Sequence, residues 1–223
     1  MKAPTNDQVR EAPYLTLNGV VRYMTSTTAK QREDTLLDYK RPDPEGKARG
    51  TYYQPARDAI RAFHAAGNDP GIIEAVVSEL EERLPTLTNS AYAKVENNIR
   101  VLRAYPAAFG RRLLQPVEWE AATITIEGVR ISLRPDLLAR EGKRTRAIRF
   151  AFVKDAPSNE EVVCSVQLLL RWAEATGSPC GPADCLLLSI ADGTAVPATG
   201  RRRSFDAQLR GAMREVARQW PAV

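Results

Sequence analysis

The clearest structural signal in the sequence lies in residues 122–154, which read ATITIEGVRISLRPDLLAREGKRTRAIRFAFVK. Apolar and polar residues alternate on both sides of Glu127-Gly128, a pair typical of a tight turn, so residues 117–126 and 129–138 are predicted to form a β-hairpin. After the basic segment 140–144, residues 146–154 are apolar enough for a strand in the middle of a sheet. The stretch therefore predicts three consecutive strands.

The residues that follow predict a helix, two strands and a last helix. Residues 159–176 form a helical pattern that begins at Ser158 or Asn159 and ends at Gly177. Residues 184–191 and 194–198 predict a strand pair around Asp192-Gly193, and residues 205–220 carry apolar side chains at helical spacing. The predicted order from residue 116 onward is β-β-β-α-β-β-α.

The pattern differs before residue 116. Residues 52–66, 70–84 and 88–105 carry apolar side chains three and four positions apart, which predicts amphipathic helices and a first half that is all helical. We therefore predict an α/β protein in three parts. These are an N-terminal arm or helical segment (1–50), a helical region (51–115) and the β-β-β-α-β-β-α core (116–223).

Composition limits the class of protein. The chain has 223 residues, of which 43% are hydrophobic and 26% charged, so a wholly disordered, collagen-like or coiled-coil chain is excluded. A net charge of +5 is compatible with nucleic-acid binding but does not require it. Three cysteines cannot form a disulfide framework, which predicts a cytoplasmic protein. No stretch approaches ~18 apolar residues, so neither a membrane span nor a secretory signal is predicted.

Three polar residues follow the order of the predicted elements. Asp136 stands after Pro135, Lys154 ends the next predicted strand, and Gln167 lies in the following helix in a Gln-x-x-x-x-Trp context. Over residues 90–220 this arrangement resembles the PD-(D/E)XK nuclease superfamily, especially its RecB-like branch. The resemblance implies a restriction-endonuclease-like core, catalytic roles for these three residues, and Mg²⁺ as the cofactor of an active enzyme.

One position departs from the pattern of this superfamily. Phe152 occupies the place two residues before Lys154, where the superfamily has Asp or Glu. Mg²⁺ in such a site is held by carboxylates and water. We predict Asp136 and Glu161 as its protein ligands; other acids that could supply the missing carboxylate are Glu96, Glu118, Glu120 and Glu160.

Basic residues gather in three short segments and predict contacts with nucleic-acid phosphates. The predicted set is Arg111, Arg112, Arg140, Lys143, Arg144, Arg146, Arg201, Arg202 and Arg203. The alternative is a solvated basic surface, and convergence of two of these clusters on one face would favour phosphate binding.

Simpler interpretations exist for the other candidate residues. Asp136 can be a turn or capping carboxylate, Lys154 a solvated strand end, and Gln167 a buried residue that satisfies backbone groups. The tyrosines near the N-terminus, including Tyr52 and Tyr53, can stack on bases or pack on the sheet.

We expect a nucleic-acid-associated protein of the PD-(D/E)XK fold. The favoured hypothesis is a degenerate nuclease that acts as a DNA-binding component of a repair, mobile-element or antiphage system. Two alternatives remain open, an active Mg²⁺-dependent DNA nuclease with a relocated acid and a protein-interaction subunit with a protein partner. The sequence leaves the oligomeric state and the role of residues 1–50 undecided.

Overall fold

The computed structural model describes residues 9–42 and 52–223, and these form a mixed α/β structure with seven α-helices and two mixed sheets. The α/β class predicted from the sequence is confirmed. The elements are β1 (Tyr14–Thr16), α1 (Leu17–Thr25), α2 (Ala29–Lys40), α3 (Gln54–Ala65), α4 (Pro70–Arg83), α5 (Asn89–Phe109), β2 (Leu114–Pro116), β3 (Ala122–Ile126), β4 (Val129–Leu133), β5 (Leu137–Glu141), β6 (Arg144–Ala151), α6 (Asn159–Thr176), β7 (Cys185–Ser189), β8 (Thr194–Pro197) and α7 (Arg203–Gln219).

The larger sheet has five strands in the order β2-β5-β6-β7-β8. Strands β6 and β7 are parallel and are connected through α6, whereas the other neighbouring pairs are antiparallel. The register pairs Leu114 with Glu141 and Ala147 with Cys185. The starts of β2, β6 and β7 and the ends of β5 and β8 therefore lie at one end of this sheet.

The smaller sheet has three strands in the order β1-β4-β3. Its hairpin of β3 and β4 turns at Glu127 (φ 49°) and Gly128 (φ 80°), the two positive φ angles that a type I′ turn needs. This confirms the predicted turn. Strand β1 pairs in parallel with β4.

Two hydrophobic clusters cover the two faces of the larger sheet. Helices α3, α4 and α5 pack on one face, where Ile148, Phe150 and Leu188 are buried. Helices α1, α6 and α7 and the smaller sheet pack on the other face, where Ala147 and Leu187 are buried. The alternation of side chains along β6 and β7 assigns each strand residue to one of these two layers.

Several predicted bounds were wrong. The hairpin strand predicted to reach Leu138 ends at Leu133, and a separate strand, β5, begins at Leu137. Residues 140–144 lie in the ends and turn of the β5–β6 hairpin instead of a loop. Strand β6 ends at Ala151 and not at Lys154, because its ladder with β7 ends at the pair Ala151 and Ser189. The first half is not all helical, since it contains β1 and most of β2.

The predicted division into three parts stays a prediction. The N-terminal segment contributes β1 to the sheet that contains β3 and β4, so the arm and the core share one sheet. Residues 1–8 and 43–51 lie outside the described residues. Among residues 9–42 and 52–223, no helix is both long and apolar enough to span a bilayer.

Candidate functional site: a nuclease-like position and a basic sheet end

Asp136 lies at the start of β5, and its carboxylate is bonded on both oxygens. Oδ1 accepts from Arg57 Nε at 2.7 Å, and Oδ2 accepts from the backbone N–H of Phe150 at 2.9 Å. The N–H of Asp136 donates to the carbonyl of Ile148 at 2.8 Å and so extends the β5–β6 ladder. This carboxylate is therefore part of the sheet end and of an ion pair.

A second guanidinium, that of Arg149, lies on the other side of the larger sheet, in the layer that contains α1 and α6. The pairing of Leu137 with Ile148 places Asp136 opposite Arg149 one step further along the antiparallel ladder. Arg149 donates to the Asn18 side chain of α1. Burial lowers the pKa of the Arg149 guanidinium, and the Asp136 carboxylate opposes this shift. Asp136 is thus flanked by a cation from the α3 layer and one from the α1 and α6 layer.

Phe152, which stands where the superfamily has an acid, is buried in an aromatic cluster. Its ring centroid lies 5.2 Å from that of Phe150 and 5.0 Å from that of Tyr53. The guanidinium carbon of Arg57 lies 5.5 Å from the Phe152 ring centroid. The position is therefore filled by an apolar ring under a cation and supplies no carboxylate. Tyr53 packs here, in agreement with the packing alternative.

Lys154 and Glu161 lie after the end of β6 and at the start of α6. Lys154 is exposed in the segment that follows β6. Glu161 Oε2 accepts from the Ser158 N–H at 2.8 Å, and the Ser158 hydroxyl accepts from the Glu161 N–H, so this acid completes a capping box at the start of α6. Its carboxylate has a structural partner at the helix terminus.

Gln167 is buried, with 3% of its surface exposed, and both ends of its amide bond to the backbone. Nε2 donates to the Gly200 carbonyl at 2.6 Å, and Oε1 accepts from the Arg202 N–H at 3.0 Å. Gln167 therefore holds the segment before α7 against α6. These are the hydrogen bonds expected of a buried residue that satisfies backbone groups. The catalytic role of Gln167 stays a prediction.

The groups around Asp136 do not fit a Mg²⁺ centre. Mg²⁺ is usually held by one or two carboxylates, whereas the Asp136 carboxylate is already paired with the Arg57 guanidinium, whose positive charge repels a second cation, and Phe152 supplies no carboxylate. Within the described ranges 9–42 and 52–223, no group of three or more His, Cys, Asp or Glu side chains is placed to hold a metal ion.

Four of the nine predicted basic residues form ion pairs. Arg112 bonds Glu141 through two nitrogens at 2.8 Å each, Arg146 bridges Glu141 and Asp184, and Arg144 joins Asp184 at 2.7 Å. The Arg112 hydrogen bond is the main cause of a lowered pKa at Glu141. Arg201 pairs with Asp206 and Glu174.

Two of the basic clusters, residues 111–112 and 140–144, meet at one end of the larger sheet, which we call the basic end. Its exposed members are Arg111, Arg140, Lys143 and Arg144, which the register places beside the starts of β2 and β6. The third cluster, Arg201, Arg202 and Arg203, is also exposed and follows β8, but the Arg202 N–H is bonded to Gln167 in the middle of α6, so this cluster lies along α6 and α7.

The basic end and Asp136 lie at opposite ends of the sheet. Asp136 is next to the first residue of β5 and opposite the last part of β6, whereas the basic end begins at Arg144. Asp136 stands opposite Arg149, five residues along β6 from Arg144, so at ~3.3 Å per residue about 17 Å separate it from the basic end along the strand.

Sequence reasoning missed the residues that neutralise Asp136. Arg57 lies 79 positions away in the chain, and no local pattern links it to Asp136. Arg149 has one local signal in the sequence, since it is the one charged residue within the apolar run 147–153. A cation there needs a buried partner.

No protein-family model, curated protein or solved structure matches the chain. The kinship with the PD-(D/E)XK superfamily therefore stays a prediction from residue order.

Proposed function

We propose that this protein binds DNA through the basic end and does not hydrolyse it, as the DNA-binding component of a repair, mobile-element or antiphage assembly. The observation that carries the proposal is the convergence of two basic clusters, residues 111–112 and 140–144, at one end of the larger sheet, although 28 positions separate them in the sequence. Exposed cations spread over such a surface neutralise phosphates and release counterions.

The finer fold assignment belongs to the same proposal. The strand after Asp136, its neighbour β6 and the helix that carries Gln167 occur in the order that the restriction-endonuclease-like core implies. We propose that the chain has this core in a degenerate form. The loss of catalysis in this proposal is supported by the Arg57 guanidinium on Asp136 and by the buried ring of Phe152.

Binding is tested by titrating a labelled 30-base-pair duplex with the full chain over a range of salt concentrations. We expect log Kd to rise with log salt, with a slope that reports the phosphates contacted, at ~0.9 per contact. The double variant Arg140→Gln and Lys143→Gln is expected to reduce the slope by about 2.

A matched control removes the same charge elsewhere. Arg103 is an exposed arginine on α5 that is paired with Glu81 and is not a member of the basic end. Arg103→Gln is expected to leave the slope unchanged. An equal reduction of the slope in the double variant and in Arg103→Gln would indicate a net-charge effect. Absence of DNA binding at low salt would overturn the proposal in favour of a protein partner.

Hydrolysis is tested separately with plasmid and single-stranded DNA in Mg²⁺ or Mn²⁺. We expect no cleavage by the wild-type chain. Cleavage that disappears in Asp136→Asn would overturn the non-catalytic part of the proposal and support the alternative of an active nuclease.

A further inference from the structure

A cavity of about 540 Å³ lies between α1 and α2 on one side and α6 and α7 on the other. This volume falls within the ~300–1,000 Å³ of typical small-molecule sites. The cavity does not include Asp136 or any member of the basic end.

The floor of the cavity is apolar. Tyr23, Cys164 and Phe205 line it, and each is otherwise buried in the hydrophobic cluster beneath. Burial raises the pKa of the Cys164 thiol to about 12, so this side chain is a neutral wall and not a nucleophile. An occupant would therefore place an apolar body on this floor.

Gly211 forms part of the α7 wall. A glycine inside a helix costs ~1 kcal/mol relative to alanine, and neighbouring side chains often explain why one is tolerated. Here a Cβ built on Gly211 would meet no atom of residues 9–42 or 52–223 within 4 Å. The packing of the chain therefore gives no reason for glycine at this position, whereas a flat group lying on the exposed backbone would.

The rim of the cavity is acidic although the chain is basic overall. Its charged groups are the carboxylates of Glu160 and Glu215 and the guanidinium of Arg32. Arg32 is turned toward the protein, since its Nε is buried and its Nη2 faces the Ser26 carbonyl at 3.4 Å. The Arg32 guanidinium carbon lies 6.0 Å from the centroid of the Tyr23 ring on the floor, so the charged groups of the lining are two carboxylates and one guanidinium, with a net charge of −1.

The N-terminus of α6 does not make the cavity a binding site for an anion. The positive end of a helix favours anions, and Asn159 and Glu160 of the first turn line the cavity. This terminus is already capped by the Ser158 hydroxyl and carries two acids in its first turn. The net negative charge of the cavity lining therefore favours a cationic ligand.

We propose that this cavity binds a small molecule with a flat apolar body and a basic nitrogen, the body lying on the floor against Gly211 and the nitrogen facing Glu215 at the rim. The site is independent of DNA binding.

Three naphthalene probes of nearly equal size test the proposal: 2-naphthylmethylammonium, neutral 2-naphthylmethanol and 2-naphthylacetate, each titrated into the full chain by fluorescence. We expect the ammonium probe to bind about tenfold more tightly than the carboxylate, the size of one charge-assisted contact. Glu215→Gln is expected to remove most of this preference, and Glu174→Gln, an exposed acid on α6, to preserve it.

The position of the probe is tested on α7. Gly211→Leu is expected to abolish binding by filling the cavity, whereas Ala207→Leu, on an exposed position of the same helix outside the cavity, is expected to retain it. Circular dichroism of both variants distinguishes loss of the site from loss of the fold, and Glu215→Gln provides a test that needs no change of shape. Equal affinity for all three probes, no saturable binding, or unchanged binding in folded Gly211→Leu would overturn the proposal.

Discussion

Arg57 Nε donates to Asp136 Oδ1 at 2.7 Å and thereby ties α3 to the start of β5. The two side chains are only 15% and 17% exposed, so the pair is formed largely away from solvent. A carboxylate in this environment without its guanidinium would be a poorly solvated charge. The pair therefore stabilises the contact between the helical layer and the sheet in the place where the nuclease resemblance implies a metal.

We expect a measurable coupling between Arg57 and Asp136. A double-mutant cycle with Arg57→Met and Asp136→Asn, measured by urea unfolding, should give a coupling free energy of about 1–3 kcal/mol, because each single variant removes the charge-assisted hydrogen bond between these two largely buried side chains. The pair of Arg103 and Glu81, whose side chains are 61% and 44% exposed, serves as control and should give less than ~0.5 kcal/mol. Equal coupling in both cycles would contradict this interpretation.

The elements with local signals were predicted well. Helix α6 begins and ends as predicted because Ser158 and Glu161 form a capping box and Gly177 takes a left-handed conformation (φ 65°). The β3–β4 hairpin follows from Glu127-Gly128 in the same way. In both cases the residues that determine the boundary are within four positions of it.

The features that depend on distant residues could not be predicted. Strand β6 ends where β7 stops pairing with it, and the sequence of β6 alone contains no sign of this. The three-residue strands β1 and β2 are too short for a pattern and exist through their partners β4 and β5. The environment of Asp136 depends on Arg57, which lies 79 positions earlier in the chain, in α3. The sequence therefore indicated the position of Asp136 but not the guanidinium that neutralises it.

Glu141 and Glu127 each pair with two arginines, but their replacement is expected to lower the stability of the chain by different amounts. Glu141 bonds Arg112 and Arg146, which are 21% and 16% exposed, whereas Glu127 bonds Arg210 and Arg214, which are 65% and 67% exposed. The two acids themselves are equally exposed, at 24% and 25%. Glu141→Gln should therefore cost about 2 kcal/mol of unfolding free energy and Glu127→Gln less than ~1 kcal/mol, because solvent screens the second set. A larger loss for Glu127→Gln in urea unfolding would contradict this.

The only histidine should make stability depend on pH. Burial lowers the pKa of His64 below its ordinary 6.5. Its Nδ1 donates to Asn68 Oδ1 at 2.7 Å, since the Asn68 amide nitrogen donates to two carbonyls, and its Nε2 accepts from the Tyr105 hydroxyl at 2.6 Å. The neutral ring is thus the form that the folded chain favours.

The stability from neutral His64 is fully present above pH 6.5 and is lost as the pH falls from there through the lowered pKa of the folded chain. Urea unfolding between pH 7.5 and 5 should show this decline at roughly that range, and His64→Gln should flatten it. A decline of the same size in His64→Gln would assign the pH dependence to other groups.

The amide of Gln167 is expected to stabilise the start of α7. Gln167→Met keeps a side chain of similar length but leaves the Gly200 carbonyl and the Arg202 N–H without their partner. The loss should be about 2 kcal/mol, with increased hydrogen exchange in the backbone of residues 200–204. Gln208→Met, at an exposed position of α7, is the control and should change neither quantity. Unchanged exchange in Gln167→Met would show that this segment is held by other contacts.

Alanine substitution at two glycines should have opposite effects. Gly177 ends α6 at φ 65°, a conformation that costs a residue with a Cβ ~1 kcal/mol, so Gly177→Ala should destabilise the chain by about that amount. Gly211 lies inside α7, and its added Cβ meets no atom of residues 9–42 or 52–223 within 4 Å, so Gly211→Ala should stabilise the chain by about 0.5–1 kcal/mol. Urea unfolding of the two variants measures both changes. Destabilisation by Gly211→Ala would mean that the wall of the cavity requires glycine for the packing of the chain itself, which would remove the reason for placing an occupant against it.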